Sequence, residues 1–398
     1  MTKPPLEVAD VIRAAGKGFI QRQRSWLTKL HRKVLFAIEH CRTAALGGHR
    51  DRCCECGHIV AISYNSCRNR HCPRCLSNAR RKWLSARQRE LLAVPYVHLI
   101  FTIPHKLAPL VFHNKKLLYS LLFRASSATL LEIASDPKHL GAGIGFFSVL
   151  HTWGQNLMFH PHAHCVIPAG GLSPDHKTWI HPKYRFFLPR GVLSEVFRGK
   201  FVDGLKQAYR LGELSLPREL RSLSDEKTFR ALVRTVYRHR WVVHVKPPFA
   251  GPQYVLKYLA HYTHRVAISN QRLISLSEGK VTFRWKDYRD GSKHKPMTLT
   301  VDEFLRRFLL HTLPRGFVRI RFFGFMANRR RTPMLSLCKK LLGDEPQETS
   351  TPGETKETEK PATWLCPLCR GRMIVIERFT AWQLFLQTLK EKDLVDTS

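Results

Sequence analysis

Acidic residues are scarce in this chain of 398 residues, which has 30 Asp and Glu against 66 Lys and Arg. The formal net charge is therefore +36, and the pI calculated from the sequence is about 10.3. A surplus of this size attracts polyanions and speeds their capture, so it bears on the partners of the protein rather than on its fold. Nucleic acid is the usual polyanion, and phosphate contacts supply most of its non-specific binding.

The sequence also lacks an uninterrupted apolar run of about 18 residues, which a membrane-spanning helix would need. Its first residues, MTKPPLEVADVIRAAGKG, contain acids and have no apolar core of the secretion-signal kind. We therefore expect a soluble intracellular protein with no membrane partner. With 43% hydrophobic residues, the chain can form one large domain with appendages, or two to three ordinary domains.

The eleven cysteines indicate metal binding rather than disulfides, because several form CxxC pairs and no secretion signal precedes them. In CCECGHIVAISYNSCRNRHCPRC, Cys53 and Cys56 form one pair, Cys72 and Cys75 form another, and fifteen residues lie between the pairs. This spacing predicts one structural zinc site, in which four thiolates close a tetrahedral shell. Other residues that could replace a ligand or support a second ion are Cys54, Cys67, His58 and His71.

A third CxxC pair, Cys366 and Cys369, lies near the other end of the sequence. Two thiolates do not complete a shell, so a second zinc site here would need Cys338, a histidine or another chain. Arginines also surround the first cysteine-rich stretch, and they suit either a nucleic-acid backbone or a solvated surface. The candidates for DNA binding are Arg68, Arg70 and Arg74.

Local patterns give a coarse secondary structure. Residues 1 to about 50, 105 to 137 and 190 to 240 have helical patterns, and YVHLIFTIP and WVVHVKPPF have strand composition. FFSVLHTW and HAHCVIPAGGL are predicted to be paired strands, with Gly170 and Gly171 marking the turn. Several short strands are predicted between residues 266 and 301. The polar, acidic segment 343–363 is predicted to be a disordered linker.

The stretch HPHAHC, residues 160–165, has a histidine at every second position. Alternate residues of a strand share one face, so His162 and His164 can bind one divalent ion. His160 shares that face if the strand begins early enough, although Pro161 favours an edge strand or the start of a strand at this point.

The stretch YVLKYLAHYTHR has tyrosines at four-residue intervals, Tyr254, Tyr258 and Tyr262, which share one face of a helix. Such a stripe is ordinarily packed into a core. Here Lys257, His261, His264 and Arg265 interleave with it, so the setting is basic and polar, and Lys257 and Arg265 join the candidates for DNA binding. A tyrosine hydroxyl can act as a covalent nucleophile, and a nearby divalent ion would polarise a phosphoryl oxygen.

Six motifs together resemble the rolling-circle insertion-sequence transposases of the insertion-sequence-ninety-one type, in the HUH endonuclease superfamily. They span about residues 10 to 340 and are CRNRHCPRC, FTIPH, HTWGQNL, HPHAHCVIPAGG, YLAHYTHRVAISNQRL and GFVRIRFFGFMANR. The resemblance implies an α+β fold, an HUH-type antiparallel sheet with packed helices, plus an N-terminal zinc-binding module. The expected division is a basic helical region 1–50, a zinc-binding module 51–90, a catalytic domain 91–342, the linker 343–363 and a CxxC tail 364–398.

The resemblance further implies a DNA transposase that nicks one strand through a 5′-phosphotyrosine, leaves a free 3′ hydroxyl and moves an insertion sequence by a rolling-circle route. By position, Tyr258 and Tyr262 match the pair of nucleophiles of the two-tyrosine class, and Tyr254 is the spare. His162 and His164 match the ligands of a Mg²⁺ or Mn²⁺ ion. The third ligand is expected to be His160, ahead of two alternatives, Gln155 and His151.

The implied substrate is single-stranded or hairpin DNA at the transposon ends and the target, in the bacterial cytoplasm. Stacking on bases would come from aromatic residues such as Trp153, Phe283 or Trp285. Two alternatives stay open: a non-catalytic zinc-finger DNA-binding protein, and an RNA-processing enzyme with a zinc module. Neither alternative accounts for the tyrosine stripe, and the oligomeric state is not fixed by the sequence.

Overall fold

The computed structural model describes residues 5–75, 83–182, 188–249, 255, 266–288, 290–344 and 365–393. It combines α-helices with antiparallel sheets, which is the predicted α+β class. The predicted helix around the tyrosines, apart from Val255, and nearly all of the predicted linker 343–363 lie outside the described residues.

A five-stranded antiparallel sheet forms the centre of the fold, with strand order β12-β4-β5-β3-β8. Its strands, in sheet order, are β12 (Ile320–Gly324), β4 (Gly145–Trp153), β5 (Phe159–Pro168), β3 (Tyr96–Thr102) and β8 (Val243–Phe249). The predicted strands YVHLIFTIP, FFSVLHTW, HAHCVIP and WVVHVKPPF are thus confirmed.

The two faces of this sheet carry different residues, because side chains alternate along each strand. On one face, alternate apolar residues such as Leu99, Leu150 and Cys165 join the largest core. On the other face, Val149 and Val166 belong to a smaller core, and histidines occupy neighbouring positions. The sheet therefore separates a helix-covered side from a side that carries polar chemistry.

The helix-covered side is formed by α3 (Ala108–His113), α4 (Lys115–Ser135), α5 (Arg190–Arg210) and α6 (Glu226–Arg238). Helix α4 is long and apolar enough to cross a membrane by length and composition alone, but 67% of its most apolar window is buried inside the protein. Phe197 and Phe201 of α5 contact Trp241, which also packs in this core. Such burial is typical of the central helix of a globular core.

A second core joins the N-terminal helices to a three-stranded sheet, as the helical pattern of residues 1–50 predicts in part. It contains α1 (Val8–Arg22), α2 (Lys29–Glu39), α7 (Val301–Leu310) and the meander β9 (Leu273–Ser277), β10 (Lys280–Asp287) and β11 (Lys293–Thr300). Arg22 donates two hydrogen bonds to the Asp302 carboxylate, of 2.7 and 2.8 Å, and so ties α1 to α7.

A third sheet brings the two ends of the chain together, with strand order β13-β1-β2. Strands β1 (Gly48–Cys53) and β2 (Ile59–Tyr64) are a hairpin, and β13 (Met373–Phe379) pairs with β1 along its length. The predicted C-terminal tail is therefore integrated with the cysteine-rich hairpin. Two further α-helices lie in the C-terminal part of the chain, α8 (Arg331–Leu341) and α9 (Ala381–Asp393).

The predicted turn at Gly170 and Gly171 is wrong for the β4–β5 hairpin. The hairpin turns through residues 154–158, where Gly154 N–H donates to the Met158 carbonyl. Gly170, with φ of 130°, instead leads into the short ribbon β6 (Gly171–Leu172) and β7 (Trp179–Ile180). A dipeptide of glycines favours a turn but does not determine which strands the turn connects.

Phe101 provides a test of the central core. Its side chain is fully buried and packs edge-on against Phe197, with ring centroids 5.0 Å apart. Phe101→Ala is expected to lower the free energy of unfolding by about 3–5 kcal/mol, because it removes buried area and leaves a cavity. The exposed Val242 is the control, since Val242→Ala should change stability by less than about 0.5 kcal/mol. Urea titrations at fixed zinc concentration measure both, and equal effects would contradict this description of the core.

Candidate metal centres and candidate active site

Four cysteines form the first cluster, beside the N-terminal helices. Cys41 follows α2, and Cys67, Cys72 and Cys75 come from the segment after β2, with all four sulfur atoms within 4.8 Å of one another. The Sγ of Cys75 lies 3.5 Å from that of Cys41 and 3.5 Å from that of Cys67. These contacts lower the pKa of the Cys75 thiol and raise the pKa of the Cys67 and Cys72 thiols, so a bound cation is needed for all of them to be thiolates together.

Four other cysteines form the second cluster, where the ends of the chain meet. Cys53 ends β1 and Cys56 lies in the hairpin turn, while Cys366 and Cys369 precede β13. The Sγ of Cys53 lies 3.4 Å from that of Cys369, and the Sγ of Cys56 lies 3.7 Å from that of Cys366. Gly371 permits this approach, because a Cβ there would lie 3.0 Å from the Cys53 sulfur.

Both clusters fit structural zinc. In a tetrahedral site with Zn–S bonds of about 2.3 Å, neighbouring sulfur atoms are ~3.8 Å apart, close to the spacings found here. All eight thiols are free, and four sulfurs gathered this closely repel one another once ionised unless a cation holds them. A shell of four thiolates leaves no open position, so these centres stabilise the fold and do not perform chemistry.

The predicted zinc site of Cys53, Cys56, Cys72 and Cys75 is wrong as a single shell. The structure assigns its two CxxC pairs to different clusters, because pairing of β1 with β13 brings Cys366 and Cys369 to the first pair. The spacing of cysteines along the chain cannot show that Cys56 meets Cys366, which lies 310 residues further on, because pairing of strands brings the two together. Eight cysteines, enough for two complete shells, were the signal that sequence reasoning missed.

Of the other cysteines and histidines considered as zinc ligands, Cys67 lies in a cluster and the rest lie outside the clusters. Cys67 does belong to a cluster, whereas Cys41 was not anticipated. Cys338 is buried in the small core of the central sheet, away from the C-terminal pair. His71 accepts a hydrogen bond of 3.1 Å at Nε2 from the Leu313 backbone, which joins the cysteine-rich segment to the chain before β12. Neither Cys54 nor His58 lies in the clusters found among the described residues.

Three histidines meet on the face of the central sheet opposite the large helical core. His151 on β4 pairs directly with His162 on β5, and His164 is two residues further along β5. Their candidate ligand nitrogens lie within 4.8 Å of one another. His151 and His164 are buried and His162 is partly buried. Three imidazoles in this arrangement can hold one divalent ion and leave positions for other ligands.

The expected third ligand, His160, is replaced in this cluster by His151. The carbonyl of His160 instead accepts a hydrogen bond of 2.6 Å from Nδ1 of His162, which leaves Nε2 of His162 with its lone pair. Pairing across strands brings His151 opposite His162, and an irregularity in register follows it. Gln155 lies in the hairpin turn, where its backbone carbonyl accepts from Arg272. Register, which the sequence does not specify, decided between these candidates.

A fourth histidine supports the cluster from the neighbouring strand. Nε2 of His98 on β3 lies 2.8 Å from Nδ1 of His164, and the two rings are stacked with centroids 5.0 Å apart. Such a contact orients a ligand ring and selects its tautomer. Burial, with His160 nearby, lowers the pKa of His162 to about 3, and burial also lowers the pKa of His164. Both rings are therefore neutral at physiological pH, as metal binding requires.

The predicted nucleophiles, Tyr258 and Tyr262, and the spare Tyr254 lie outside the described residues, as do Lys257 and Arg265. One residue of their segment is described: Val255 is helical and fully buried. It belongs to the small core that includes Val149 and Val166, on the histidine face of the sheet.

The predicted DNA-binding arginines differ in their surroundings. Arg74 donates to Glu7 and to the Cys41 carbonyl, both at 2.8 Å, so it holds the first cysteine cluster in place. Arg70 donates to the Phe317 carbonyl at 2.8 Å. Arg68 is exposed.

The aromatic residues predicted to stack on bases differ in how far they are exposed. Phe283 is fully buried in the second core, so it is wrong as a base-stacking residue. Trp153 is partly buried and stacks on His151, with centroids 4.7 Å apart. Trp285 packs against the second core while partly exposed.

Comparison with known proteins identifies the class. Residues 11–103 match a family described as "Transposase zinc-binding domain", and residues 145–333 match one described as "Putative transposase". The chain is 51% identical over 387 residues to "Putative transposase y4qJ" of Sinorhizobium fredii, covering 95% of this chain and 97% of the relative. It is 30% identical over 352 residues to "Transposase for insertion sequence element IS801" of Pseudomonas savastanoi, covering 84% and 80%. No solved structure matches.

The chain is therefore a transposase, an enzyme that processes DNA. More particularly, it belongs to the transposase family of the insertion-sequence-ninety-one type. The zinc-binding match contains the whole first cysteine cluster but only Cys53 and Cys56 of the second. The C-terminal pair, Cys366 and Cys369, was anticipated as a zinc-binding pair, but both family matches leave it out, and the structure alone identifies Cys53 and Cys56 as its partners.

Zinc content tests the two-cluster arrangement. The purified protein is expected to contain two zinc ions per chain, and the double variant Cys366→Ser with Cys369→Ser is expected to contain one, because two thiolates alone do not close a shell. Cys54→Ser is the matched control and should retain two, since this exposed thiol is in neither cluster. Elemental analysis by mass spectrometry measures the ratio. Two zinc ions in the double variant would contradict the pairing of the chain ends.

Proposed function

We propose that this transposase is a metal-dependent single-strand DNA endonuclease and strand transferase of the HUH type, acting through a 5′-phosphotyrosine intermediate. The observation that carries the proposal is the cluster of His151, His162 and His164 on the sheet face where Val255 is buried. A metal-binding cluster and the start of the tyrosine segment therefore share one side of one sheet.

Helical spacing favours two of the three tyrosines. On a helix, residues three and seven positions beyond Val255 lie close to its face, and these are Tyr258 and Tyr262. In a helical arrangement, Tyr254 would be rotated from Val255 by about 100°, against about 60° for Tyr258 and about 20° for Tyr262. A helix through this segment would therefore bring Tyr262 and Tyr258 closer than Tyr254 to the face that contains Val255. We infer that these two are the nucleophiles.

The chemistry is a transesterification that needs no energy source. The tyrosine Oη attacks the phosphorus of a phosphodiester, the bond from phosphorus to the 3′ oxygen breaks, and the tyrosine proton ends on the released 3′ hydroxyl. A Mg²⁺ or Mn²⁺ ion bound by the histidines would polarise a phosphoryl oxygen and orient the scissile bond. His151, His162 and His164 would hold that ion as neutral ligands, with His98 orienting the ring of His164. A second tyrosine can cleave a second strand in the same way. The 3′ hydroxyl released by that cleavage attacks the first phosphotyrosine, which re-forms a phosphodiester, frees the first tyrosine and completes strand transfer.

The substrate we propose is single-stranded or hairpin DNA at the ends of an insertion sequence and at its target, processed by a rolling-circle route in the bacterial cytoplasm. A net charge of +36 supports a polyanionic substrate. The relatives named as transposases come from bacteria, where DNA and cytoplasm are not separated.

Covalent capture tests the proposal. The purified protein is incubated with labelled single-stranded oligonucleotides that tile the DNA flanking its coding sequence, with and without Mn²⁺, and separated on a denaturing gel. A metal-dependent protein–DNA adduct is expected. It should fall at least a hundredfold in the double variant Tyr258→Phe with Tyr262→Phe, because no hydroxyl remains to attack, and each single variant shows which tyrosine attacks first.

Two variants serve as matched controls. Tyr254→Phe should retain the adduct, and His160→Ala should retain far more of it than His151→Ala, since only His151 lies in the cluster. If no adduct forms with any metal while DNA is bound tightly, the alternative of a non-catalytic zinc-finger DNA-binding protein replaces the proposal. Cleavage of RNA but not DNA would favour the RNA-processing alternative.

A further inference from the structure

A groove of about 830 Å³ lies between the first cysteine cluster and the edge strand β12 of the central sheet. Cys75 lines one side and Ile320 the other, so both the zinc-binding segment and the sheet contribute to its walls. Six arginines line it, and no Asp or Glu does so among the described residues. They are Arg42, Arg68, Arg70, Arg87, Arg319 and Arg331.

Among the described residues, one acid forms ion pairs with the groove arginines. Glu90 lies behind the groove, where it accepts from Arg87 at 2.7 Å and is 3.5 Å from Arg331. Arg70 donates to a carbonyl, which carries no full charge. An anion in the groove would accept hydrogen bonds from the guanidinium groups that line it.

Aromatic rings lie among the arginines. The Arg87 guanidinium lies over Trp83 and Phe322, at 5.7 and 5.3 Å from the ring centroids, and Arg331 lies 4.8 Å from the centroid of Phe322. Rings and planar guanidinium groups interleaved with positive charge are what unpaired bases and their phosphates bind. A simple phosphate ligand would need the charge but not the rings.

The groove leads toward the histidine cluster. On β12, Ile320 pairs with Val149 and Phe322 pairs with Phe147, and paired residues of neighbouring strands share a face. His151 is two residues beyond Val149 on the same face, so it is a diagonal neighbour of Ile320 at roughly 7–8 Å. Both groove residues of β12 therefore point to the side of the sheet where the three histidines meet.

We propose that this arginine-lined groove binds the phosphate backbone of a single DNA strand and leads that strand from the zinc-binding segment to the histidine cluster. The inference rests on the proposed function for its substrate, and it adds the path that the strand takes. Bases must be unpaired to stack on the rings, which is why a single strand is favoured over a duplex. Its backbone would supply the anionic partners of the arginines.

Binding of labelled oligothymidine to the full-length, zinc-loaded protein tests this path, by fluorescence anisotropy at several salt concentrations with no Mg²⁺ or Mn²⁺ added. The test variant combines Arg42→Gln with Arg68→Gln, two exposed residues of the groove. Both have positive φ, 61° and 50°, and glutamine meets the same backbone strain as arginine. We expect affinity to fall about tenfold or more, and the slope of log K against log salt to decrease by about 1.4, as for two lost phosphate contacts.

The matched control combines Lys227→Gln with Arg234→Gln, which removes the same charge from exposed positions of α6 on the helix-covered side. It should change affinity less than twofold. Equal losses in both double variants would show a general charge effect and overturn the groove. Unlabelled duplex or RNA that competes as well as oligothymidine would overturn the assignment to single-stranded DNA. Zinc content and thermal melting confirm that both variants are folded.

The same variants separate this inference from the proposed function. The groove variant should need about tenfold more of the flanking oligonucleotide to form the covalent adduct, because the strand binds less tightly while the tyrosines and histidines are unchanged. An adduct with no binding defect in the groove variant would overturn the groove and leave the nuclease standing. If the groove variant has the binding defect but neither it nor the unmutated protein forms an adduct, the groove would stand and the nuclease would be overturned.

Discussion

The antiparallel pairing of β4 with β5 is the interaction on which the candidate active site depends. It places His151 opposite His162, and alternation along β5 adds His164 to the same face. The residues of these strands whose side chains lie on the other face of the sheet, such as Leu150 and Cys165, are buried in the large core. A shift of one residue in register would move the histidines into that core and their apolar neighbours out of it. The energy that fixes the register is thus hydrophobic, although what it positions is polar.

The cysteine clusters solve a different problem, that of holding a highly charged chain together. One cluster fastens α2 to the segment after β2, and the other fastens the N-terminal hairpin to the strand β13 near the end of the sequence. Closing a loop of some three hundred residues costs conformational entropy, and tight zinc binding offsets such a cost. A protein with a net charge of +36 also repels itself, and metal crosslinks oppose that repulsion without requiring acids.

The positive charge is not used uniformly. Arg22 and Arg74 form ion pairs with acids and connect elements of the fold. The six arginines of the groove lie where no Asp or Glu of the described residues lines the walls, and Glu90 is the acid that pairs with two of them, Arg87 and Arg331. Because the groove and the histidine cluster adjoin the same strand pairing of β12 with β4, binding of a strand and chemistry on it would share one rigid sheet. Such placement suits catalysis that relies on positioning more than on moving parts.

The sequence by itself determined the elements and the chemistry they carry. Strand composition identified four of the five strands of the central sheet, and the charge indicated a polyanionic partner, because both are properties of neighbouring residues or of composition. The histidines His162 and His164 were found for the same reason, since two positions on one strand need no tertiary information to share a face.

Only the tertiary structure decided which distant residues meet. His151 rather than His160 completes the histidine cluster, and Cys366 with Cys369 rather than Cys72 with Cys75 joins Cys53. Each of these choices depends on the register and partners of a strand, which are set by packing across the whole fold and leave no mark in local spacing. The arginine groove has the same origin, because its walls come from segments more than two hundred residues apart, brought together by the burial of their apolar neighbours.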